Sequence, residues 1–343
     1  MGVKPKILLI YTGGTIGMIN DTETDQLINV DFNHIYDYLP ELRRLSVDLQ
    51  TISFENPIDS SEMNINHWKN IAEIIYKNYT KYNGFVVLHG SDTMSYTSSA
   101  LSFIFDGLKK PIIFTGSQLP IGTIRTDGKE NLITAIEIAA SIDEDNQPLI
   151  QEVSVYFDYR LFRANRVTKD SADHFEAFKS PNFQELCKAG VKIQYNRNKF
   201  YRTEQKQLQI NTNLNSRVAL LKLYPGMDFQ LYKSVFDSSN IDGLVLETFG
   251  AGNAPNCKDF HSLLEKFIDG GGLVLNITQC NSGSINQGMY KSSSFFNKVG
   301  VVSGGDMTTE AAVTKLMTVL DKSDLLKTKK MLCKNMRGEL TVS

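Results

Sequence analysis

Short apolar runs of strand length recur through the first half of the chain, and each ends in a polar, glycine- or serine-bearing loop. Ile7–Ile10 runs into Thr12-Gly13-Gly14-Thr15-Ile16-Gly17. Ser46–Phe54 alternates and runs into Asn56-Pro57-Ile58-Asp59-Ser60-Ser61-Glu62-Met63. Gly84–Leu88 ends in His89-Gly90-Ser91-Asp92-Thr93-Met94, and Pro111–Phe114 ends in Thr115-Gly116-Ser117-Gln118. Val153–Phe157 is one more such strand. Between them, apolar positions recur at helical spacing: Trp68, Ile71, Ala72, Ile75 and Tyr79, then a segment through about Phe105, then Asn131–Ser141. Strand, polar loop and helix in repeated succession predict a parallel sheet with helices on its faces. The loops must then leave the sheet at the carboxyl ends of its strands, on one edge. Thr15, Ser60, Ser61, Ser91, Asp92 and Ser117 are expected to gather there in one crevice.

Two stretches break the pattern. Asn20–Gln26 is polar and lies beside the expected crevice, and it reads as a surface hairpin ahead of a lid. Gly190 to about Ser216 is rich in Asn, Gln, Lys and Arg and shows little helical period. From Arg217 a second α/β pattern begins, with strands at Val218–Leu223, Gly243–Leu246 and Gly272–Ile277 and helices at Asp259–Ile268 and Thr308–Leu320. The expectation is an α/β protein. A larger N-terminal, doubly wound, mostly parallel sheet domain over 1–190 is joined by a linker, 191–216, to a smaller C-terminal α/β domain over 217–343.

Composition narrows the function classes. With 41% apolar and 22% charged residues and a net charge of −2, nothing marks a nucleic-acid or membrane partner. Lys327-Thr328-Lys329-Lys330 reads as the solvated end of a helix. The four cysteines, Cys187, Cys257, Cys280 and Cys333, make no C-x-x-C pair, and a chain of this size needs no staples, so reduced thiols and a cytoplasmic setting are expected. The apolar run at Ile7–Ile10 is too short for a signal peptide, and no stretch is long enough to span a bilayer.

The chemistry follows from what the loops carry. There is no P-loop, no G-x-G-x-x-G, no H-E-x-x-H and no G-x-S-x-G. His34, His67, His89, His174 and His261 are scattered, which argues against a zinc site. His89, at a strand end, reads as hydrogen-bonded structure. What remains is hydroxyls, a carboxylate and a lysine. A threonine hydroxyl is a poor nucleophile unless its proton has somewhere to go, and a neutral lysine amine can take one. Lys169, in Arg166-Val167-Thr168-Lys169-Asp170, could reach the same edge with Asp92 as its partner. From spacing alone, an ordinary exposed lysine is the stronger reading.

Thr12-Gly13-Gly14-Thr15-Ile16-Gly17 and His89-Gly90-Ser91-Asp92-Thr93-Met94 together resemble the two signatures of bacterial-type L-asparaginases. Asp59-Ser60-Ser61-Glu62-Met63, Thr115-Gly116-Ser117-Gln118, Val167-Thr168-Lys169, Gly250-Ala251-Gly252-Asn253-Ala254-Pro255 and Thr278-Gln279-Cys280 match in order, so the likeness covers nearly the whole chain. The closer likeness is to the cytoplasmic, type I branch. The resemblance implies hydrolysis of L-asparagine to aspartate and ammonia, with some glutaminase activity, no metal or cofactor, and a homodimer or homotetramer. It implies Thr15 as nucleophile and Ser91, Asp92 and Lys169 as a second hydroxyl–carboxylate–lysine set. Gly14, Asp59, Ser60, Ser61, Gly90, Ser91, Asp92 and Ser117 would bind substrate. Ser60 would hold the α-carboxylate, Asp92 and Ser61 the α-ammonium, and the Ser117 main chain the side-chain amide.

Three positions depart from the family pattern. Ser91 stands where threonine is usual, which keeps the hydroxyl. No tyrosine lies between Tyr11 and Tyr36, and Leu27 falls about where the family's lid tyrosine would be. Glu247 stands where some type I members place an arginine of an allosteric asparagine site, and an acidic residue there would repel an effector carboxylate. Two other readings compete with the enzyme. A tRNA-dependent amidotransferase component would carry an extra N-terminal domain ahead of Thr12. A non-catalytic amino-acid sensor would have no need of Thr15, Asp92 and Lys169 together.

Overall fold

The structure, a computed structural model, describes residues 4–20, 27–29, 35–287 and 291–341. It divides into two compact units, 1–180 with 184–210, and 181–183 with 211–343.

The first unit is built on an eight-stranded sheet. Its central strands are β1 (Lys6–Tyr11), β2 (Asp48–Ser53), β3 (Gly84–Leu88), β4 (Ile112–Thr115) and β5 (Val153–Phe157). They lie in the order β2-β1-β3-β4-β5 and are all parallel. β1, β3, β4 and β5 have neighbours on both sides. Ile7, Leu8, Leu9 and Ile10 are accordingly fully buried, as are Phe85 to Leu88, which is why these strands read as unbroken apolar runs. Beyond β5, β6 (Arg160–Arg163) returns antiparallel, and the short strands Cys187–Lys188 and Gln194–Tyr195 complete that edge. Three helices cover the sheet: α1 (Ile65–Asn78), α2 (Met94–Ile104) and α3 (Gly128–Ala140). α1 starts at a capping box, with Asn66 N donating to Asn64 Oδ1 (3.0 Å) and Asn64 N to His67 Nδ1 (3.2 Å). It buries Trp68, Ile71, Ala72 and Ile75 of the predicted stripe, and Tyr79, the last position of that stripe, is its half-buried C-cap.

β1 connects to β2 on one side, and the chain then crosses to β3 on the other. The β1/β3 boundary is therefore the point where the winding reverses, the place where open α/β sheets leave a crevice outside their strand ends. The loops at Thr12 and His89 both leave from this boundary. The polar segment after the first loop is flanked by a backbone hairpin, with Met18–Asn20 antiparallel to Leu27–Asn29. Residues 21–26 and the Leu27 side chain lie outside the described residues. Within 191–216, Gln194–Tyr195 pairs at the sheet edge and Gln209–Ile210 pairs with Phe105–Asp106.

The second unit has a four-stranded parallel sheet in sequential order: β7 (Val218–Lys222), β8 (Gly243–Thr248), β9 (Leu273–Thr278) and β10 (Val302–Ser303). One core packs Phe260, Leu264 and Phe267 of α4 (Lys258–Asp269) against Leu244, Leu246 and Val274. The other packs Ala312 and Leu316 against Val245, Leu273 and Leu275. Helices α5 (Lys291–Val299), α6 (Thr309–Val319) and α7 (Leu325–Cys333) complete the unit. The basic run 327–330 lies inside α7, and Thr328 within it is buried, so only part of the run is a solvated end. Among the described residues, no helix is long and apolar enough to cross a membrane.

Candidate active site

Three loops at the β1/β3 edge lock together through bare backbone. Thr12 ties its loop to β3, its N and Oγ1 both donating to Leu88 O at 3.0 and 2.9 Å. Its carbonyl accepts from Ile58 N at 2.8 Å. Gly13 and Gly14 then take φ of +131° and +89°, a region closed to most side chains. A Cβ on Gly13 would lie 2.1 Å from Ile58 O, one on Gly14 2.5 Å from Gly90 Cα, and one on Gly90 2.6 Å from Ser60 Oγ. The loops carrying Thr15, Ser60 and Ser91 thus touch at positions that admit no side chain. Thr15 opens a single turn, Thr15–Gly17, closed by Gly17 N donating to Gly14 O at 3.1 Å. It is half-buried, and its hydroxyl has no hydrogen-bond partner among the described residues.

Ser60 is buried, and its carbonyl accepts from Thr93 Oγ1 at 2.7 Å, which joins the second and third loops. Asp59 caps the turn Ser60–Glu62 by accepting from Ser61 N at 2.8 Å. The Ser61 amide and then its hydroxyl hold the Asp59 carboxyl below the usual range. Asp59 and Ser61 are both exposed.

Lys169 meets Ser91 and Asp92 across the crevice. It sits on the short strand Thr168–Lys169, paired antiparallel with Phe178–Lys179. Its Nζ lies 2.9 Å from Ser91 Oγ and forms an ion pair with Asp92. The lysine side chain is 17% exposed and the aspartate 64%, so spacing alone misjudged Lys169 as an ordinary surface lysine. Ser91 Oγ also lies 3.0 Å from Gln118 Oε1. Ser117 is buried, with its hydroxyl donating to Leu119 O at 2.5 Å.

His89 is structural, as its place at a strand end suggested. Trp68 Nε1 donates to Thr97 Oγ1 (3.0 Å), Thr97 to His89 Nε2 (2.9 Å), and His89 Nδ1 to Gly90 O (2.7 Å). This direction assigns the neutral tautomer with the proton on Nδ1. Complete burial pushes its pKa down to about 4, against a smaller opposing effect of the Gly90 carbonyl.

Sequence reasoning named Ser117 and passed over its neighbour Gln118 and the groups behind it. Asp127 accepts from Gln118 N at 3.1 and 3.0 Å and from Leu119 N at 3.2 Å, and Asn131 Nδ2 donates to it at 3.2 Å. The only signal was a polar pair, Asp127 and Asn131, one turn apart at the start of a helical pattern. In the second unit, Glu247 is nearly buried. Thr309 Oγ1 donates to its Oε1 at 2.5 Å, and Lys222 Nζ lies 3.8 Å from its Oε2. Among the described residues there is no cluster of three or more His, Cys, Asp or Glu able to hold a metal.

The fold is that of a doubly wound α/β protein with a hydroxyl-rich crevice at its switch point. Comparison with known proteins narrows this. Residues 6–201 match the model of the N-terminal asparaginase domain, and 217–332 match that of the glutaminase/asparaginase C-terminal domain. The chain belongs to the asparaginase family. It is 39% identical over 340 residues to L-asparaginase 1 of Escherichia coli, covering 98% of each chain. The crystal structure of L-asparaginase I from Vibrio cholerae superposes with a TM-score of 0.87 at 35% identity, over 99% of this chain and 100% of that one. The thermostable L-asparaginase from Thermococcus kodakarensis superposes with a TM-score of 0.89 at 28% identity, over 98% of this chain and 100% of that one.

Proposed function

We infer that the protein is an L-asparaginase, converting L-asparagine and water to L-aspartate and ammonia. The observation that carries the reading is the convergence of Lys169, Ser91 and Asp92 at the glycine-locked edge from which the Thr15 turn projects. In this reading Thr15 Oγ attacks the side-chain carboxamide carbon. Its proton passes through the neighbouring network to the departing nitrogen, ammonia leaves, and an aspartyl ester of Thr15 remains. Water then cleaves the ester, releasing aspartate and restoring the hydroxyl. Backbone N–H groups of the glycine loop stabilise the oxyanion.

Substrate binding follows from charge. The buried Ser60 receives the α-carboxylate, and the exposed Asp92, with Ser61, receives the α-ammonium. The Ser117 hydroxyl is committed to Leu119 O, and in this reading it is the Ser117 main chain that meets the substrate amide. Gly14 and Gly90 contribute by the close approach their bare backbones permit. Asp59 shapes the Ser60–Ser61 turn. A minor glutaminase activity is expected, because one methylene is worth only about 1–3 kcal/mol of discrimination.

The protein acts in the cytoplasm without a metal or cofactor, as a homodimer or homotetramer, and has no nucleic-acid or membrane partner. Glu247, already bonded to Thr309 and close to Lys222, does not recruit an effector carboxylate. Ammonia release measured over a range of asparagine and glutamine concentrations tests the reading. The expected result is a hyperbolic dependence on asparagine and weak activity on glutamine. Asparagine binding with no aspartate formed would replace the enzyme by a sensor.

A further inference from the structure

The hydrogen bonds around Gln118 run in a single direction. Its Nε2 faces two carbonyl oxygens, Ala172 O at 3.2 Å and His174 O at 3.0 Å. Carbonyls only accept, so the amide cannot be flipped without setting Oε1 against two oxygens. Held this way round, Oε1 is an acceptor, and Ser91 must donate its one hydrogen to it. Lys169 Nζ approaches the same Ser91 oxygen at 2.9 Å, and that oxygen can then only accept from the lysine.

Ala172 and His174 lie in the turn of the hairpin that begins at Thr168–Lys169 and returns at Phe178–Lys179. The network therefore closes on itself: from Lys169 to Ser91, to Gln118, and back to the lysine's own hairpin. The Gln118 backbone N–H donates to the Asp127 carboxylate. The charged groups around the network are Asp92, paired with Lys169, and Asp127. On the hairpin, Asp170 pairs with Lys179 at 2.6 Å, Asp173 lies 3.7 Å from His174, and Glu176 pairs with Arg160 at 2.7 Å.

We propose that Gln118 is a positioning residue of the hydrolysis: it sets the direction in which Ser91 donates, presents Ser91 to Lys169 as an acceptor, and tethers the lysine hairpin to the Ser91 loop. The proposal rests on the asparaginase reading above. In the resting site Lys169 Nζ donates to Ser91 and Asp92. Ser91 can donate toward the lysine only when its hydroxyl has turned away from Gln118.

Two variants of the full chain test this, assayed beside wild type for kcat and KM against pH and for amide hydrogen exchange across 170–176. Gln118→Leu removes the acceptor and both donors. It is expected to lower kcat roughly 10- to 100-fold with KM nearly unchanged, to shift the kcat–pH profile, and to speed exchange in the turn. Gln118→Glu keeps an acceptor but turns a carboxylate toward two carbonyls. Once protonated it recovers one of the two donors of the glutamine amide and keeps an acceptor, so its activity relative to wild type should rise as pH falls. Unchanged kcat, pH profile and exchange in Gln118→Leu, or a ratio for Gln118→Glu that stays flat with pH, would overturn the proposal. If wild type itself released no ammonia, the asparaginase reading would fail instead, and the exchange data would still decide the tether.

Discussion

Gly14 and Gly90 meet backbone to backbone, so closely that a methyl group on Gly14 would sit 2.5 Å from the Gly90 Cα and N. One glycine immediately precedes Thr15 and the other immediately precedes Ser91. The distance between the two hydroxyl-bearing loops is thus set by main-chain contact, which tolerates less drift than contact between flexible side chains. Gly90 presses in turn on Ser60, so the positions of all three loops depend on one another.

Gly14→Ala should therefore damage activity more than stability. The positive φ costs about 1–3 kcal/mol, and the overlap with Gly90 must be relieved by moving one loop. A displacement near 1 Å at a reacting group costs about 100-fold in rate. Steady-state kinetics and urea denaturation of the same sample separate the two effects. A variant with near-normal kcat would show that the contact does not set the geometry.

His89 makes stability depend on pH. Its pKa is about 4 in the folded protein and near 6.5 when unfolded. Between those values the unfolded chain binds the extra proton, so the folded state loses stability as pH falls from 6.5 toward 4, and the loss is complete below 4. The expected contribution between pH 7 and 4.5 is roughly 2–3 kcal/mol. His89→Gln keeps a donor and an acceptor without titrating, so its denaturation free energy should fall less over that range by about this amount. Parallel pH dependences for wild type and variant would refute the assignment.

Lys315 and Glu339 form an ion pair at 2.5 Å with both side chains fully buried. The lysine also donates to Leu332 O (2.8 Å) and Lys334 O (2.7 Å), and the glutamate accepts from Met336 N and Arg337 N. Burial lowers the lysine pKa and the glutamate opposes this. Lys315→Met strands a buried carboxylate and should cost about 3–5 kcal/mol, whereas combining it with Glu339→Leu should cost less than the two single changes summed. Denaturation of the three variants gives the coupling. Strictly additive losses would mean that the pair does not act as a unit.

Lys169→Met should abolish turnover while leaving the fold intact, because it removes the cation shared by Ser91 and Asp92. Lys169→Arg should recover little, since a guanidinium cannot act as a base near neutral pH. A Lys169→Met enzyme with wild-type kcat would return this residue to a structural role.

Much of the fold was legible because parallel strands flanked on both sides must be apolar throughout, as Ile7–Ile10 and Phe85–Leu88 are. β6 was not legible. It begins and ends in arginine, and its turn uses Asp158 and Tyr159 at positive φ where glycine would have flagged a hairpin. α7 was read only as a solvated helix end because its lysines dilute the apolar period, although Thr328 and Leu332 are buried. Lys315 was not singled out, because the partners that allow its burial, Glu339 and the Leu332 and Lys334 carbonyls, lie beyond its own helix. In the site, the hydroxyls and Asp92 were recognisable by their loops. Lys169 and Gln118 were not placed by pattern, because their contacts with Ser91 join positions 78 and 27 apart in the chain. The resemblance supplied the first and not the second.

Ammonia release by Thr15→Ala, beside wild type at saturating asparagine and with folding checked by circular dichroism, tests the central claim most directly. A fall of about a thousandfold or more with the fold retained is the predicted result, since Thr15 supplies the attacking oxygen in this account. A folded Thr15→Ala protein that kept turnover within about tenfold of wild type would contradict the account.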